Sequence, residues 1–277
     1  MNFPLPDTTV KIVTQKKEVK TPCYDDGYYR INEHEFSMDV ENVGYFYAAH
    51  GNSVEVTPYE GVDDATLDVY LNGSSYGAIL HQRGILTMHA SSFKFREKGI
   101  LLCGESGAGK SSLTTAFVLE DNPFLTDDVT PILVENGRPM ILAMSDRVKL
   151  WNDSLEQLNQ SSKALKRIDP ETEKYYFPIA QRKNKTFQVH HIFLLEIHPT
   201  EEFIMEEITG AEKVTTLREQ IYRPEYLMGM PKNEALFFKQ LIELSKNTTL
   251  TRIKRSIHHP IKTTQSILKD YLKNQST

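Results

Sequence analysis

Cysteine is scarce in this chain: Cys23 and Cys103 are the only two among 277 residues. Two thiols cannot form a disulfide framework, and the sequence leaves open whether they pair. No apolar run approaches the roughly 18 residues of a membrane span. Residues 1–18 have no apolar core of the signal-peptide type. The expectation is therefore no membrane association and a cytoplasmic location. Charge of one sign is also lacking, because 32 Lys and Arg against 37 Asp and Glu leave a net charge of −5. A nucleic-acid-binding domain would favour a basic footprint, so no nucleic-acid partner is expected. Glycine and proline number 14 and 13, too few for a collagen-like or low-complexity chain. There is no internal repeat and no Gly/Ser linker.

What remains is an ordinary globular composition, 39% hydrophobic and 25% charged. A chain of this length can bury about three-quarters of its unfolded surface without staples. The first twenty residues carry little periodicity and read as an extended or frayed lead-in. Short β-type segments between Tyr28 and Val56, punctuated by Gly44 and Gly51-Asn52, predict a small meander. Asp63 is an N-cap for a helix over 64–81, weakened near Gly73. The expected elements continue with a strand over 85–95, a turn at Glu97-Lys98-Gly99, and the wholly apolar strand Ile100-Leu101-Leu102-Cys103. That apolarity suits a strand buried on both faces. A helix from Lys110 and a strand Phe124-Leu125-Thr126 follow. Later come helices over 153–160, 212–221, 233–246 and 263–272 and a strand over 189–197. Alternating strands and helices give an α/β class, divided as a β meander plus helix over 1–80 and a second domain over 81–277.

Gly104-Glu105-Ser106-Gly107-Ala108-Gly109-Lys110-Ser111 fits G-x-x-x-x-G-K-[ST] without departure. Glycines let the loop take positive φ angles and bring backbone close to a ligand. Its N–H groups then form a nest for phosphate oxygens, with the following helix N-terminus aimed at the same anion. Lys110 adds charge on the outer phosphates, Ser111 offers a hydroxyl to Mg²⁺, and Ser112 extends the cradle. A chance match in a chain of this length is about one in a hundred at average residue frequencies. The bland alternative is a Gly-rich strand-to-helix turn that holds no ligand.

Asp127-Asp128 ends an apolar strand 17 residues after Lys110, expected to lie beside the P-loop strand. Carboxylates there can hold Mg²⁺ or accept a proton from a nucleophile; the alternative is a capped turn. No Asn-Lys-x-Asp motif reads guanine, since Asn184-Lys185 is followed by Thr186-Phe187. His89, on the strand before the hairpin, is placed to approach Asp127; alone it would read as a hydrogen-bonded structural residue.

With these residues in place the chain resembles the HPr kinase/phosphorylase family, whose core is similar to ATP-dependent phosphoenolpyruvate carboxykinase. The run Leu80-His81-Gln82-Arg83-Gly84-Ile85-Leu86, Met88-His89-Ala90-Ser91, the P-loop and Leu125-Thr126-Asp127-Asp128 carry the resemblance. Weaker matches are Lys149-Leu150-Trp151, Ile208-Thr209-Gly210-Ala211-Glu212 and Tyr222-Arg223-Pro224. Within that family it looks most like the kinases encoded beside lasso-peptide genes, which phosphorylate the C-terminal serine of a precursor peptide. One stretch departs: Ala143-Met144-Ser145-Asp146-Arg147-Val148-Lys149 stands where HPr kinases carry Glu-x-Arg-Gly-x-Gly, which argues against HPr as substrate. The resemblance implies ATP and Mg²⁺ as cofactors and a P-loop kinase core behind a β-rich N-terminal region. Residues 104–112 would form the nucleotide cradle. The catalytic set would be Asp127 as the base, His89 supporting it, Lys110, and Asp128. Ser111 and Asp128 would stand on the metal side. A peptide or small protein with an acceptor serine would be the partner, and self-association is implied as well. Rival readings are an HPr-type kinase, a small-molecule kinase or a regulatory nucleotide-binding module.

Other signals read more plainly. His190, His191 and His198 do not share a strand face as zinc ligands would, and His258-His259 sit in a turn before Pro260. Cys103 reads as a small core residue. Trp151 is core or lines an acceptor groove. Arg252 to Arg255 reads as a solvated strand face, the sharper alternative being a phosphate or carboxylate contact, and Arg223 is an anion contact by resemblance.

Overall fold

The computed structural model describes residues 3–168, 172–179 and 185–275. The N-terminal meander is a six-stranded sheet in the order Thr9–Ile12, Ser53–Pro58, Gly44–Ala49, Glu35–Val40, Tyr29–Ile31 and Tyr24–Asp25. The lead-in is therefore not all frayed, because Thr9–Ile12 pairs in parallel with residues 53–56. Asp63 caps the next helix as expected, its Oδ1 accepting from the backbone of Ala65 at 2.7 Å and Thr66 at 2.9 Å. That helix is continuous to Gln82, but its middle turn, Leu71–Ser75, widens to π geometry around Gly73. The core beneath it draws on Phe36, Phe46, Leu71 and Ile79, and also on Val129, Met144, Tyr222 and Tyr226 from later in the chain.

The central sheet runs Phe124–Thr126, Ala90–Phe95, Lys98–Gly104, Thr186–Ile197, Arg138–Leu142, Thr130–Glu135, Leu86–Met88. Thr249–Arg255 pairs in parallel with 186–197. The P-loop strand is buried on both faces for a visible reason. Ile100 and Leu102 enter one core with Leu113, Phe117 and Phe193, while Leu101 and Cys103 enter another with Ile192 and Leu241. Alternation sends successive side chains to opposite faces, and here each face carries its own apolar layer. The thiols of Cys23 and Cys103 are free, the first exposed and the second buried.

Two expectations are corrected. Residues 85–95 form two strands with different partners: 86–88 pairs with 130–132, and 90–95 pairs with the P-loop strand. His89 sits at the break, its backbone N–H bonded to Gln220 O at 2.8 Å. Strand 124–126 lies beside residues 92–93 rather than beside the P-loop strand. The later helices, 210–219, 231–247 and 261–274, fall within a few residues of their expected ranges. Helix 152–157 is shorter than expected. No helix among the described residues is long and apolar enough to cross a membrane.

Candidate active site

The loop 104–109 joins the P-loop strand to helix Lys110–Val118. Gly104 has φ +131°, and a Cβ there would meet Leu195 O at 2.3 Å. Gly109 opens the helix at φ +91°, and a Cβ would meet the Arg255 guanidinium at 2.7 Å. Both positions need glycine for conformation and for space. Glu105, Ser106, Gly107 and Ala108 complete the turn. Lys110 is 7% exposed. It donates to Gly104 O at 2.7 Å and Glu105 O at 3.0 Å, and its Nζ lies 3.0 Å from His89 Nε2. An ammonium has only protons to offer, so His89 Nε2 is the acceptor and its proton resides on Nδ1. Burial, reinforced by the Lys110 charge, lowers the His89 pKa and keeps the ring neutral.

The acidic pair divides between two neighbourhoods. Asp127 Oδ1 accepts from Ser111 Oγ at 2.7 Å, and Oδ2 accepts from the Lys149 backbone at 3.1 Å. Burial and then the charge of Asp128 raise the Asp127 pKa. Asp128 faces away, its Oδ1 lying 3.4 Å from His89 Nδ1 and its Oδ2 accepting from Lys149 Nζ at 3.0 Å. Burial alone would raise its carboxyl, but the Lys149 ammonium outweighs that and holds it well below the usual carboxylate range. The split follows from the backbone. Val129 N–H bonds to Asp127 O at 2.9 Å across Asp128, which has φ +70°. This is a γ-turn of the rare positive-φ form, a strained arrangement of the kind that gathers at functional sites. The pairing reverses the expected one: Ser111 meets Asp127, not Asp128, and His89 meets Asp128, not Asp127.

Three cavities meet at Asp128. The first, about 220 Å³, is lined by the P-loop, Ser111, Ser112, both aspartates, Lys149, Trp151, Lys174 and Arg255. The second, about 80 Å³, lies between the 64–82 helix and strand 147–151 and is lined by both aspartates. The third, about 520 Å³, is lined by His89, Asp128, Tyr222 and Arg223. Ser112 Oγ is tied to Ser154 Oγ at 2.8 Å on the wall of the first cavity.

Three groups there were missed or misread. Arg255 is 7% exposed, not on a solvated face. It donates to Ala108 O at 2.9 Å beneath the loop, with no carboxylate partner among the described residues. Lys174 lines the same cavity, its pKa lowered by burial and then by Lys149. Lys149, known only from the weak Lys-Leu-Trp match, proves to be the counter-ion of Asp128. Trp151 is 47% exposed at the cavity mouth with Lys174 Nζ 5.3 Å from its ring, which settles it as a lining residue rather than core. Arg252, by contrast, is held at the surface by Glu196, Glu206 and Glu212. His191 is buried and bonded to Thr251. No group of three or more His, Cys, Asp or Glu suited to a metal occurs among the described residues.

No family model and no curated protein matches this chain. Among solved structures it is similar to the HPr(Ser) kinase/phosphatase from Coxiella burnetii, with 14% sequence identity and a TM-score of 0.35, over 69% of this chain and 99% of that one.

Proposed function

We propose that this chain is an ATP- and Mg²⁺-dependent phosphotransferase that phosphorylates a serine hydroxyl of a peptide, in the manner of the lasso-precursor kinases it resembles. The observation that carries the reading is the meeting of a cation-lined P-loop cavity with two further cavities at a single carboxylate, Asp128. Lys110, Arg255 and Lys174 bring positive charge to the phosphate side. A triphosphate oxygen would replace one of the three acceptors Lys110 now uses.

The donor set suits magnesium. Ser111 Oγ and Asp127 are adjacent hard oxygen ligands, and Mg²⁺ is commonly held by one or two carboxylates plus substrate phosphates and water. When bound, the ion neutralises charge on the phosphate oxygens. In this reading Asp127 stands with Ser111 on the metal side, and Asp128 faces the acceptor. The acceptor oxygen forms its bond to the γ-phosphorus while the bond to the β–γ bridging oxygen breaks. The hydroxyl proton passes to Asp128 late in the step, when bonding to phosphorus has made the acceptor oxygen acidic enough to yield it even to a carboxylate held low by Lys149, and the nucleoside diphosphate leaves. His89, neutral and hydrogen-bonded to Lys110, orients Asp128. Most of the acceleration comes from alignment and charge compensation, as is general for phosphoryl transfer.

The test is incubation with ATP, Mg²⁺ and serine-containing precursor peptides, read by mass spectrometry for the gain of one phosphate. Lys110→Ala should lose transfer by about 10²-fold or more, the usual effect of removing a charge-stabilising donor. Transfer that persists in excess chelator, or at the wild-type rate in Lys110→Ala, overturns the proposal.

A further inference from the structure

The second cavity holds an unusual concentration of unpaired polarity. Asp68, Asn72 and Tyr76 follow one another at four-residue spacing along the 64–82 helix, and all three line it. Asp68 Oδ1, both polar atoms of the Asn72 amide and the Tyr76 hydroxyl are shielded from solvent and have no hydrogen-bond partner among the described residues. Tyr76 is 3% exposed. Buried polar groups are nearly always paired, and an unpaired one costs roughly 1–3 kcal/mol. Four such atoms around one cavity point to a ligand that completes them. The helix is π-wound at Leu71–Ser75, and π-turns inside helices recur at functional sites. That wide turn carries Asn72. Gly73 and Gly77 set the backbone of this stretch against Tyr222, whose ring centroid is 5.9 Å from that of His89. The helix is thus seated directly on the catalytic cluster.

The unpaired set specifies the ligand's chemistry. A side-chain amide offers one carbonyl acceptor and an NH₂ donor, and a peptide unit offers one N–H and one C=O. Asn72 can therefore pair with a peptide unit on both atoms. Asp68 Oδ1 accepts a further N–H, and the Tyr76 hydroxyl donates to a carbonyl. Burial raises the Asp68 pKa, so an N–H donor there also relieves an exposed cost of desolvation. A free anion fits less well, because four carboxylates, Asp68, Asp127, Asp128 and Asp146, line the cavity against two cations, Arg147 and Lys149. The volume of about 80 Å³ has room for on the order of five waters at ~15 Å³ each, which matches the heavy atoms of one peptide unit.

We infer that the cavity between the 64–82 helix and strand 147–151 is a subsite that hydrogen-bonds the peptide backbone of the acceptor, next to the hydroxyl that Asp128 faces. This rests on the kinase reading for its role in turnover, but binding can be read separately. The probes are a serine tripeptide with blocked termini and free L-serine, each added with a non-hydrolysable ATP analogue and titrated calorimetrically, and each then tested for phosphate transfer. The expected result is that the tripeptide binds the wild type at least tenfold more tightly than serine does. Asn72→Ala should weaken the tripeptide about tenfold and leave serine and nucleotide affinity unchanged. Tyr76→Phe, which removes only the hydroxyl, should weaken it less. In turnover the loss should lie in the acceptor KM, not in kcat. Tripeptide binding that depends on Asn72 without any phosphate transfer supports the subsite and refutes the kinase reading. Transfer with the same acceptor KM in wild type and Asn72→Ala keeps the kinase and overturns the subsite, as does equal binding of serine and tripeptide.

Discussion

The two walls that enclose the acidic pair differ in how far the polar groups nearest to it are paired. On the P-loop wall Lys110 spends its protons on two carbonyls and His89, and both oxygens of Asp127 are engaged. On the helix wall Asp68 and Asn72 are half-buried and Tyr76 is buried, each with shielded polar atoms unpaired. Lys110 and Asp127, with their bonds complete, are set in position before any ligand arrives; the loose ends on that wall are Arg255 Nε and His259 Nδ1, which have no partner among the described residues. A wall with its bonds incomplete carries a standing cost that a ligand can remove. On the proposed kinase reading both kinds of preparation belong to one site: rigid positioning for the group common to every turnover, and open hydrogen-bonding capacity for the group that has to be recognised.

The sharpest way to break this comparison is within the acidic pair, which each wall shares. Asp128→Asn keeps the size of the side chain and cannot take the acceptor proton. It should lower kcat by about 10²–10⁴-fold, the usual contribution of general base catalysis. Nucleotide affinity, followed by the fluorescence of the single tryptophan, Trp151, should be retained. Asp127→Asn should instead raise the Mg²⁺ concentration needed for half-maximal rate, because a neutral amide is a weaker ligand for a hard cation. The opposite pattern would restore the roles expected from the resemblance and remove the argument from the Ser111–Asp127 hydrogen bond.

That reversal shows where sequence reading stopped. The P-loop is legible because its chemistry depends on residues within eight positions of each other. Helix limits are legible from caps and periodicity, as Asp63 shows. Which carboxylate meets Ser111 is decided by a positive-φ turn at Asp128, a non-glycine position with no composition signature. The place of strand 124–126 beside residues 92–93 depends on sheet order, which local patterns do not encode. Arg255 looked like one member of a solvated basic run, and only the crossing of strand 249–255 under the loop separates it from Arg252. The polar stripe Asp68, Asn72, Tyr76 was present in the sequence at helical spacing and could have been read as one face. That this face looks across a cavity to strand 147–151 could not.

The same helix, away from the cavity, also makes a prediction about acid. His81 Nε2 lies 2.9 Å from Tyr222 O, so the neutral ring donates there; Nδ1 is then unprotonated and has no partner, and a proton added to it would find no acceptor among the described residues. Burial lowers its pKa from 6.5 to about 4. The unfolded chain takes up this proton near pH 6.5 and the folded chain only near 4. Between those values the unfolded state holds more protons, and stability falls as pH drops. The His81 share should reach about 2–3 kcal/mol at pH 4.5. Urea midpoints at pH 7 and 4.5 measure it. His81→Gln, which keeps a donor for the carbonyl, should flatten the slope, with a remainder from His191, whose pKa burial lowers to about 3. An unchanged slope in His81→Gln would move the acid sensitivity elsewhere.

The smallest expected effect is the most discriminating between the walls. Removing a hydroxyl that holds a buried hydrogen bond costs about 1 kcal/mol or more, since the partner is left unsatisfied. The Tyr76 hydroxyl has no partner among the described residues, and its ring remains packed in the N-terminal core after Tyr76→Phe. The folded state then loses nothing and sheds one desolvated group, while the unfolded state loses a hydrated hydroxyl. Thermal unfolding of Tyr76→Phe without ligand should match or slightly exceed the wild type, within about 0.5 kcal/mol. With the blocked serine tripeptide and the ATP analogue present, the wild type should gain more stability than the variant, because ligand binding stabilises in proportion to its affinity for the folded state. A Tyr76→Phe protein less stable than wild type in the absence of ligand would mean that the hydroxyl is already paired, and the contrast between the two walls would not hold.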